Sequence, residues 1–147
     1  YRLRPDSGGP GEWRGGCGIE RSWTLLGPKA ILSILAERTR IPPWGLHGGG
    51  TGGLGEYLLR RSDGGLTRLP PKCTISLVRG DSLVIRTPGG GGYGDSIRRD
   101  PELVLRDLLN GLVTGEAAER DYGVIVDTEN MCVDLDATES LRRKRLT

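Results

Sequence analysis

The 147-residue sequence predicts an α+β fold, in which a glycine-rich, mainly antiparallel β core is followed by a small helix–hairpin–helix part. Short apolar segments and turn signals alternate at spacings of about 8 to 12 residues, which is typical of a β-sandwich or a barrel-like sheet. Helix-capping residues and helical apolar periodicity begin only near residue 100. We therefore expect one structural domain, with a glycine-rich β region over 1–98 and a helical C-terminal region over 99–147 packed on it.

Six segments of the β region are predicted as strands because they are apolar or alternate apolar with polar residues. They cover residues 19–26, 30–36, 56–61, 66–69, 73–77 and 83–86. The segment from Ala30 to Ala36 is so apolar that we predict a buried strand. Asp63-Gly64-Gly65 predicts a hairpin turn, and Arg79-Gly80-Asp81 is interpreted as a turn between strands rather than as a cell-adhesion tripeptide. Residues 1–18 and 41–55 are rich in glycine and proline, which predicts irregular loops.

The helical region carries clear start and stop signals. Asp100 can cap a helix that begins at Pro101, and Thr114 can cap a second helix that Gly123 ends. One face of the first helix is predicted to be buried because its apolar residues recur at helical spacing. The residues on that face are Val104, Leu105, Leu108, Leu109 and Leu112.

After the second helix, residues 124–126 and 131–133 predict a small hairpin. A terminal helix is predicted to run to Arg145, with Asp136 and Glu139 as a pair resembling a capping box. The basic run from Arg142 to Arg145 is interpreted as a solvated helix face near a helix C-terminus, where the helix dipole favours cations. A nucleic-acid or membrane patch is the alternative for this run.

Charge and cysteine content exclude several classes of protein. A net charge of +2, from 21 basic and 19 acidic residues, argues against a nucleic-acid partner. No apolar run approaches the roughly 20 residues that cross a bilayer, so no membrane partner is expected. Cys17, Cys73 and Cys132 are widely spaced and the chain has a single His, which argues against a disulfide framework or a zinc site. We therefore predict a cytoplasmic location and no metal in this chain.

Glycine is the outlier of the composition, with 25 residues in 147 against a usual level of roughly 7%. Four consecutive glycines stand in the segment Thr87–Asp95 (TPGGGGYGD), directly after a predicted strand. Their backbone N–H groups could form a concavity that binds an anion. The alternative is a sharp connection in which backbone packs closely on backbone. No Walker-type phosphate loop occurs in the sequence.

The second unusual segment, residues 41–50 (IPPWGLHGGG), contains the only imidazole of the chain, His47. A side chain with a pKa near neutrality can be an acid–base group or a ligand, although a loop His more often only forms hydrogen bonds. Arg38 and Arg40 precede the prolines, and Lys72 follows another proline pair. These three cations are candidate contacts for a carboxylate or phosphate, with surface ion pairs as the alternative.

The two glycine segments carry a family resemblance. The segment 41–53 (IPPWGLHGGGTGG) resembles the PPWG-plus-glycines segment of the hydantoinase B/oxoprolinase family, and 87–95 resembles that family's glycine signature. The opening segment 4–16 and the later segments 99–102 and 121–124 are similar to the family pattern in the same order. The resemblance implies that the chain is the C-terminal part of a longer B-type subunit.

The resemblance also implies a two-part reaction. An A-type partner, which holds ATP and Mg, would phosphorylate the substrate oxygen and so activate a hydantoin or 5-oxoproline for ring opening by water. Carboxylation of activated acetone or acetophenone is the alternative. The N-terminal part of the B subunit is the second expected partner and could hold a divalent metal. This chain itself is expected to bind no cofactor.

Three roles remain open for this chain. In the first it contributes to the active site, with His47 and Tyr93 as catalytic residues. The residues expected to bind substrate or an anion are then Arg38, Gly89, Gly90, Gly91, Gly92 and Asp95. In the second it is a non-catalytic assembly module whose glycine loops pack against other parts of the enzyme. In the third it is a free-standing β-type module that binds a small anion.

Overall fold

The computed structural model describes residues 1–146. The strands are β1 Arg2–Leu3, β2 Ile19–Thr24, β3 Lys29–Leu35, β4 Glu56–Arg60, β5 Leu66–Arg68, β6 Lys72–Val78, β7 Ser82–Arg86, β8 Val126–Asp127 and β9 Cys132–Val133. The helices are α1 Pro101–Leu109, α2 Gly115–Tyr122 and α3 Leu135–Leu146, and a 3-10 turn covers Ser96–Arg98. These helices and antiparallel strands confirm the α+β class.

The β region consists of one sheet and one separate ribbon. The sheet has the antiparallel order β1-β2-β7-β4-β5, whereas β3 pairs with β6. The sheet ends in two short edge strands, β1 with two residues and β5 with three. Because these edges do not pair, the described residues form no closed barrel, and the barrel-like alternative is wrong.

The ribbon packs its inner face on the sheet. Ile34 and Leu77 of the ribbon belong to the same buried cluster as Leu59 and Leu83 of the sheet. Each of these four side chains is at most 9% exposed. Burial of such side chains drives this layer together at roughly 25 cal/mol per Å² of apolar surface.

The prediction of a buried strand over 30–36 is wrong in one respect. Strand β3 does form there, but its residues alternate between the inner face and solvent. Ile31 is 75% exposed and Leu35 is 86% exposed. The reason is that a two-stranded ribbon has neighbours on one face only, and side chains along a strand alternate between its faces.

The predicted caps of the first two helices are confirmed. The Asp100 carboxylate accepts from the N–H of Glu102, with Pro101 in the first turn. The Thr114 hydroxyl accepts from the N–H of Ala117, and α2 ends at Gly123 with φ of +62°. A left-handed residue at this position favours glycine, which has no Cβ to clash.

The helical region has its own core. Val104 and Ala118 are 0% exposed, and Tyr122 is 2% exposed. Leu109, predicted to be buried, is 54% exposed because it lies at the end of α1. Asp107 is instead 5% exposed on the same helix, which the apolar pattern did not indicate.

The residue that caps helix α3 stands two positions before the predicted cap. The carboxylate of Asp134, rather than that of Asp136, accepts from a helical N–H, that of Ala137, at 2.9 Å. The basic run of α3 lies beside a helix C-terminus, but that terminus belongs to α2. Arg142 donates to the carbonyl of Tyr122, and Arg145 donates to those of Glu119 and Arg120.

The segment Arg79-Gly80-Asp81 is a turn, as predicted. Asp81 is 1% exposed, and its carboxylate accepts from the backbone N–H groups of Val78 and Ser62 and from Arg61. The Val78 N–H holds the pKa of this carboxyl below its usual value. The Asp81 carboxylate therefore stabilises this turn through hydrogen bonds within the fold.

Candidate functional site: a bundle of glycine loops

Three loops that are distant in sequence meet in one bundle. They are residues 7–16, 44–53 and 89–94, and they are called the glycine loop bundle below. Backbone hydrogen bonds connect them: Gly9 N–H to Gly90 O at 2.8 Å, Gly92 N–H to Gly50 O at 2.9 Å, and Gly50 N–H to Pro10 O at 2.7 Å. Both glycine segments singled out from the sequence thus belong to one structure, which the N-terminal loop completes.

Glycine is required in the bundle because the backbones touch. A Cβ added at Gly89 would overlap the carbonyl oxygen of Ser7, and one added at Gly91 would overlap that of Trp44. Even alanine therefore cannot fit without moving a second loop. Gly16, at the rim, has no atom within 4 Å of the corresponding Cβ position.

Three of the four N–H groups proposed for anion binding have backbone partners. Gly89 donates to Gly53 O at 3.0 Å, Gly90 to Gly16 O at 2.8 Å, and Gly92 to Gly50 O at 2.9 Å. An anion would have to displace these carbonyls. The arrangement has the geometry of close backbone packing, and anion binding by Gly89–Gly92 stays a prediction.

His47 and Tyr93 lie together on the outer surface of the bundle. Their ring centroids are 4.9 Å apart and their planes are tilted by 52°. The backbone of Tyr93 exchanges two hydrogen bonds of 2.9 Å with Trp13. Tyr93 is 47% exposed, Trp13 63% and Leu46 55%. The fixed backbone therefore presents the two predicted catalytic side chains to solvent, within a largely aromatic surface.

Two predicted site residues have a left-handed backbone without being glycine. His47 has φ of +49° and Arg38 has φ of +56°. Such conformations cost about 1–3 kcal/mol each for residues with a side chain and are most common at functional sites. His47 stands in a segment where glycine occupies most neighbouring positions. Asp6 and Met131 share this conformation outside the predicted site, and a functional role of His47 stays a prediction.

Arg38 and Asp95 each have a partner close by in the sequence. The guanidinium of Arg38 stacks on the ring of Trp44, 4.5 Å from its centroid. The exposed Asp95 carboxylate accepts from the N–H of Ile97 at 3.0 Å and so caps the 3-10 turn. The structure thus gives each residue a local partner, and substrate binding by either stays a prediction.

A buried ion cluster, which sequence reasoning missed, joins the bundle to the helices. Asp107 of α1 accepts from Arg14 at 3.0 Å and from Arg99 at 2.8 Å. Arg99 also donates to the carbonyl of Glu12 at 2.9 Å. The neighbouring Tyr122 is buried, and this burial raises its pKa to about 12. The one available sequence signal was a single acidic residue within the apolar face of α1.

Metal and membrane sites can be assessed for the described part of the chain. Residues 1–146 bring together no group of three or more His, Cys, Asp or Glu side chains that could hold a metal ion. None of the helices within that range has the length and apolarity needed to cross a bilayer. All three cysteines are free.

The same fold occurs in two solved ATP-dependent enzymes. In an acetone carboxylase it has a TM-score of 0.85 at 21% identity, and the match covers 99% of this chain and 24% of that one. In the ATP-dependent caprolactamase of Pseudomonas jessenii the TM-score is 0.80 at 32% identity, covering 97% of this chain and 25% of that one. The fold is therefore that of a domain within larger ATP-dependent enzymes.

The sequence comparison identifies the family. Residues 1–96, which include the whole glycine loop bundle, match the hydantoinase B/oxoprolinase family. The chain belongs to this family, as the glycine segments predicted.

Relatives with curated descriptions are similar to most of this chain but are much longer. A protein of Methanocaldococcus jannaschii is 42% identical over 97% of this chain and 25% of its own length. The caprolactamase subunit beta of P. jessenii is 34% identical over 86% of this chain and 22% of its own length. The 5-oxoprolinase of Saccharomyces cerevisiae is 44% identical over 64% of this chain and 7% of its own length. The chain thus spans a quarter or less of these relatives.

Proposed function

We propose that this chain is the C-terminal part of the B subunit of an ATP-dependent cyclic-amide hydrolase of the hydantoinase or 5-oxoprolinase type. The observation that carries the proposal is the similarity to the ATP-dependent caprolactamase, whose TM-score of 0.80 accompanies 32% identity over 97% of this chain. The identity to the caprolactamase subunit beta and to a 5-oxoprolinase supports the same reaction class. Its free cysteines fit a cytoplasmic location.

In the proposed reaction, an A-type partner holding ATP and Mg transfers a phosphoryl group to the oxygen of the cyclic amide. The amide carbon then becomes electrophilic enough for water to add, and the ring C–N bond breaks to leave a free amine and an acyl phosphate. A second water then displaces phosphate from the acyl group and leaves the carboxylate. One group must accept a proton from water, and another must supply one to the ring nitrogen. A divalent metal, if the reaction uses one, would lie in the N-terminal part of the subunit.

His47 and Tyr93 are the groups of this chain that suit the proton transfers. An imidazole can accept a proton near neutral pH, and a phenol can donate a hydrogen bond to a leaving nitrogen. Their rings are 4.9 Å apart on a surface whose backbone is fixed by hydrogen bonds. Arg38, whose guanidinium lies on Trp44, is the proposed contact for the phosphoryl or carboxylate group of the substrate.

An assembly module is the second candidate function. It is favoured because the N–H groups of Gly89, Gly90 and Gly92 already donate to backbone carbonyls and so are not free to bind a ligand. The exposed side chains of Trp13, Trp44 and Leu46 would then pack against the rest of the B subunit or the A-type partner. Participation in an ATP-dependent ketone carboxylase is the remaining alternative, supported by the shared fold alone.

His47→Ala in the complete enzyme separates the two candidates. If His47 takes part in proton transfer, turnover falls about 100-fold or more, in line with the usual contribution of general acid–base catalysis, while partner assembly stays intact. Steady-state turnover and size-exclusion chromatography of the complex measure both quantities. If turnover is unchanged in both His47→Ala and Tyr93→Phe, the catalytic role is refuted and the assembly role is the one supported.

A further inference from the structure

A cleft beside the glycine loop bundle is lined by three cations. It has a volume of about 440 Å³ and lies between the segment 36–41 and the start of β6. Arg38, Arg40 and Lys72 line it, together with Glu37. This basic cleft brings together the three cations that the sequence suggested separately as anion contacts.

The cations of the basic cleft have no anionic partner in the fold. Within residues 1–146, Arg40 and Lys72 form neither an ion pair nor a side-chain hydrogen bond, and Arg38 contacts only the ring of Trp44. Arg86, by contrast, is held by both Glu20 and Glu56. The positive charge of the basic cleft is therefore available to a ligand.

The walls of the basic cleft are braced by the backbone. Ala36 donates to the carbonyl of Pro71 at 2.8 Å, and Gly55 donates to that of Arg38 at 2.9 Å. The left-handed backbone of Arg38 turns the chain between these two attachments. Cations on a braced wall lose less conformational entropy when they bind a ligand than cations on a free loop.

We propose that the basic cleft binds a small organic phosphate. Three cations and one carboxylate give a net charge of about +2, which balances the charge of about −1.5 to −2 on a phosphate monoester near pH 7. The planar forks of Arg38 and Arg40 suit two phosphate oxygens each, and Lys72 adds a point charge. Glu37 then accepts a hydrogen bond from an N–H or O–H of the organic part. The assignment shares Arg38 with the reaction proposed above, but it would hold if His47 and Tyr93 took no part in proton transfer.

Titration of the full chain with phenyl phosphate at constant ionic strength tests the assignment. We expect saturable binding in the range of about 1 mM or tighter, with NMR shift changes confined to residues 36–41 and 71–72. Arg40→Ala and Lys72→Ala each weaken binding about tenfold, the usual order for a lost charged hydrogen bond. Arg106→Ala removes the same charge from an exposed site on α1 and serves as the matched control.

Three results would overturn the assignment. They are no saturable binding by the unaltered chain, an equal loss of affinity in Arg106→Ala, and binding of acetate as tight as that of phenyl phosphate. His47→Ala should leave phosphate binding unchanged. Failure of the proton-transfer proposal and failure of the phosphate site therefore give different results.

Discussion

The glycine loop bundle and the helical region are packed in different ways. In the bundle, carbonyl groups of one loop occupy the space that side chains of a neighbouring loop would need. In the helical region, side chains fill the core. The bundle is connected by backbone bonds such as Gly9 N–H to Gly90 O. The helical core instead buries Val104 and Tyr122 at 0% and 2% exposure. Because both regions are closely packed, added atoms are costly where backbones touch in the bundle, and removed atoms are costly in the helical core. The two regions therefore respond to opposite kinds of substitution.

The largest effect is expected from Gly91→Ala. The added methyl group meets the carbonyl of Trp44, a backbone atom that cannot move without displacing the neighbouring loop. We expect a loss of at least about 3 kcal/mol in the free energy of unfolding, near the upper end of overpacking effects. Urea denaturation followed by circular dichroism measures it. Gly16→Ala, where no atom lies within 4 Å of the new Cβ, is the control and should change stability little. Equal effects of both substitutions would contradict the backbone-packed description of the bundle.

A smaller effect is expected from Asp107→Ala, which tests how the two regions are joined. The substitution leaves Arg14 and Arg99, with side chains 13% and 8% exposed, facing each other without their shared carboxylate. Removing one partner from such a buried cluster costs about 3 kcal/mol. Chemical denaturation gives the total, and hydrogen exchange should show the loss on both sides of the cluster. Glu139→Ala breaks the exposed pair with Arg143 and should cost less than about 0.5 kcal/mol. A loss confined to α1 would show that the cluster does not connect the regions.

The smallest effect concerns the helical region at high pH. Burial raises the pKa of Tyr122 to about 12, so the folded state favours the neutral phenol. Its contribution to stability is complete below pH 10 and is lost as the pH rises through about 12, because the unfolded chain ionises first. Two units of pKa difference at roughly 1.4 kcal/mol each give about 3 kcal/mol in total, of which about 2 kcal/mol is lost by pH 12. Unfolding free energies of the unaltered chain and of Tyr122→Phe between pH 9 and 12 measure it. The difference between the two should change with pH only above 10, and a constant difference would refute the assignment.

Features encoded in a few neighbouring residues could be predicted from the sequence. The caps at Asp100 and Thr114, the left-handed end at Gly123 and the turn at Asp63-Gly64-Gly65 all depend on local backbone chemistry. Each involves contacts within four residues, so the sequence pattern contains the whole interaction. The family segments were likewise contiguous in the sequence.

Features that depend on distant residues could not be predicted. Nothing local indicates that β3 pairs with β6 as a separate ribbon, or that Ile31 and Leu35 face solvent as a result. One of the two partners of Asp107 is Arg14, 93 positions away, so the burial of Asp107 could not be anticipated. For the candidate site, the sequence indicated His47, Tyr93 and the glycines. It did not indicate that the N–H groups of Gly89, Gly90 and Gly92 donate to carbonyls of other loops.

Three strand pairs of the β region are nested, whereas the β4–β7 pair crosses the β3–β6 pair, and this arrangement has a consequence for the folding rate. The hairpin of β4 and β5 lies inside the β3–β6 pair, which lies inside the β2–β7 pair, where Glu20 faces Arg86. The inner hairpin can close first, and each later pair then joins a shorter effective loop. The glycine loop bundle needs segments from both sides of all these strands, so it assembles last. Because long-range pairings limit the rate, we expect refolding on the scale of milliseconds to seconds, with the His47 surface completed only in the final step.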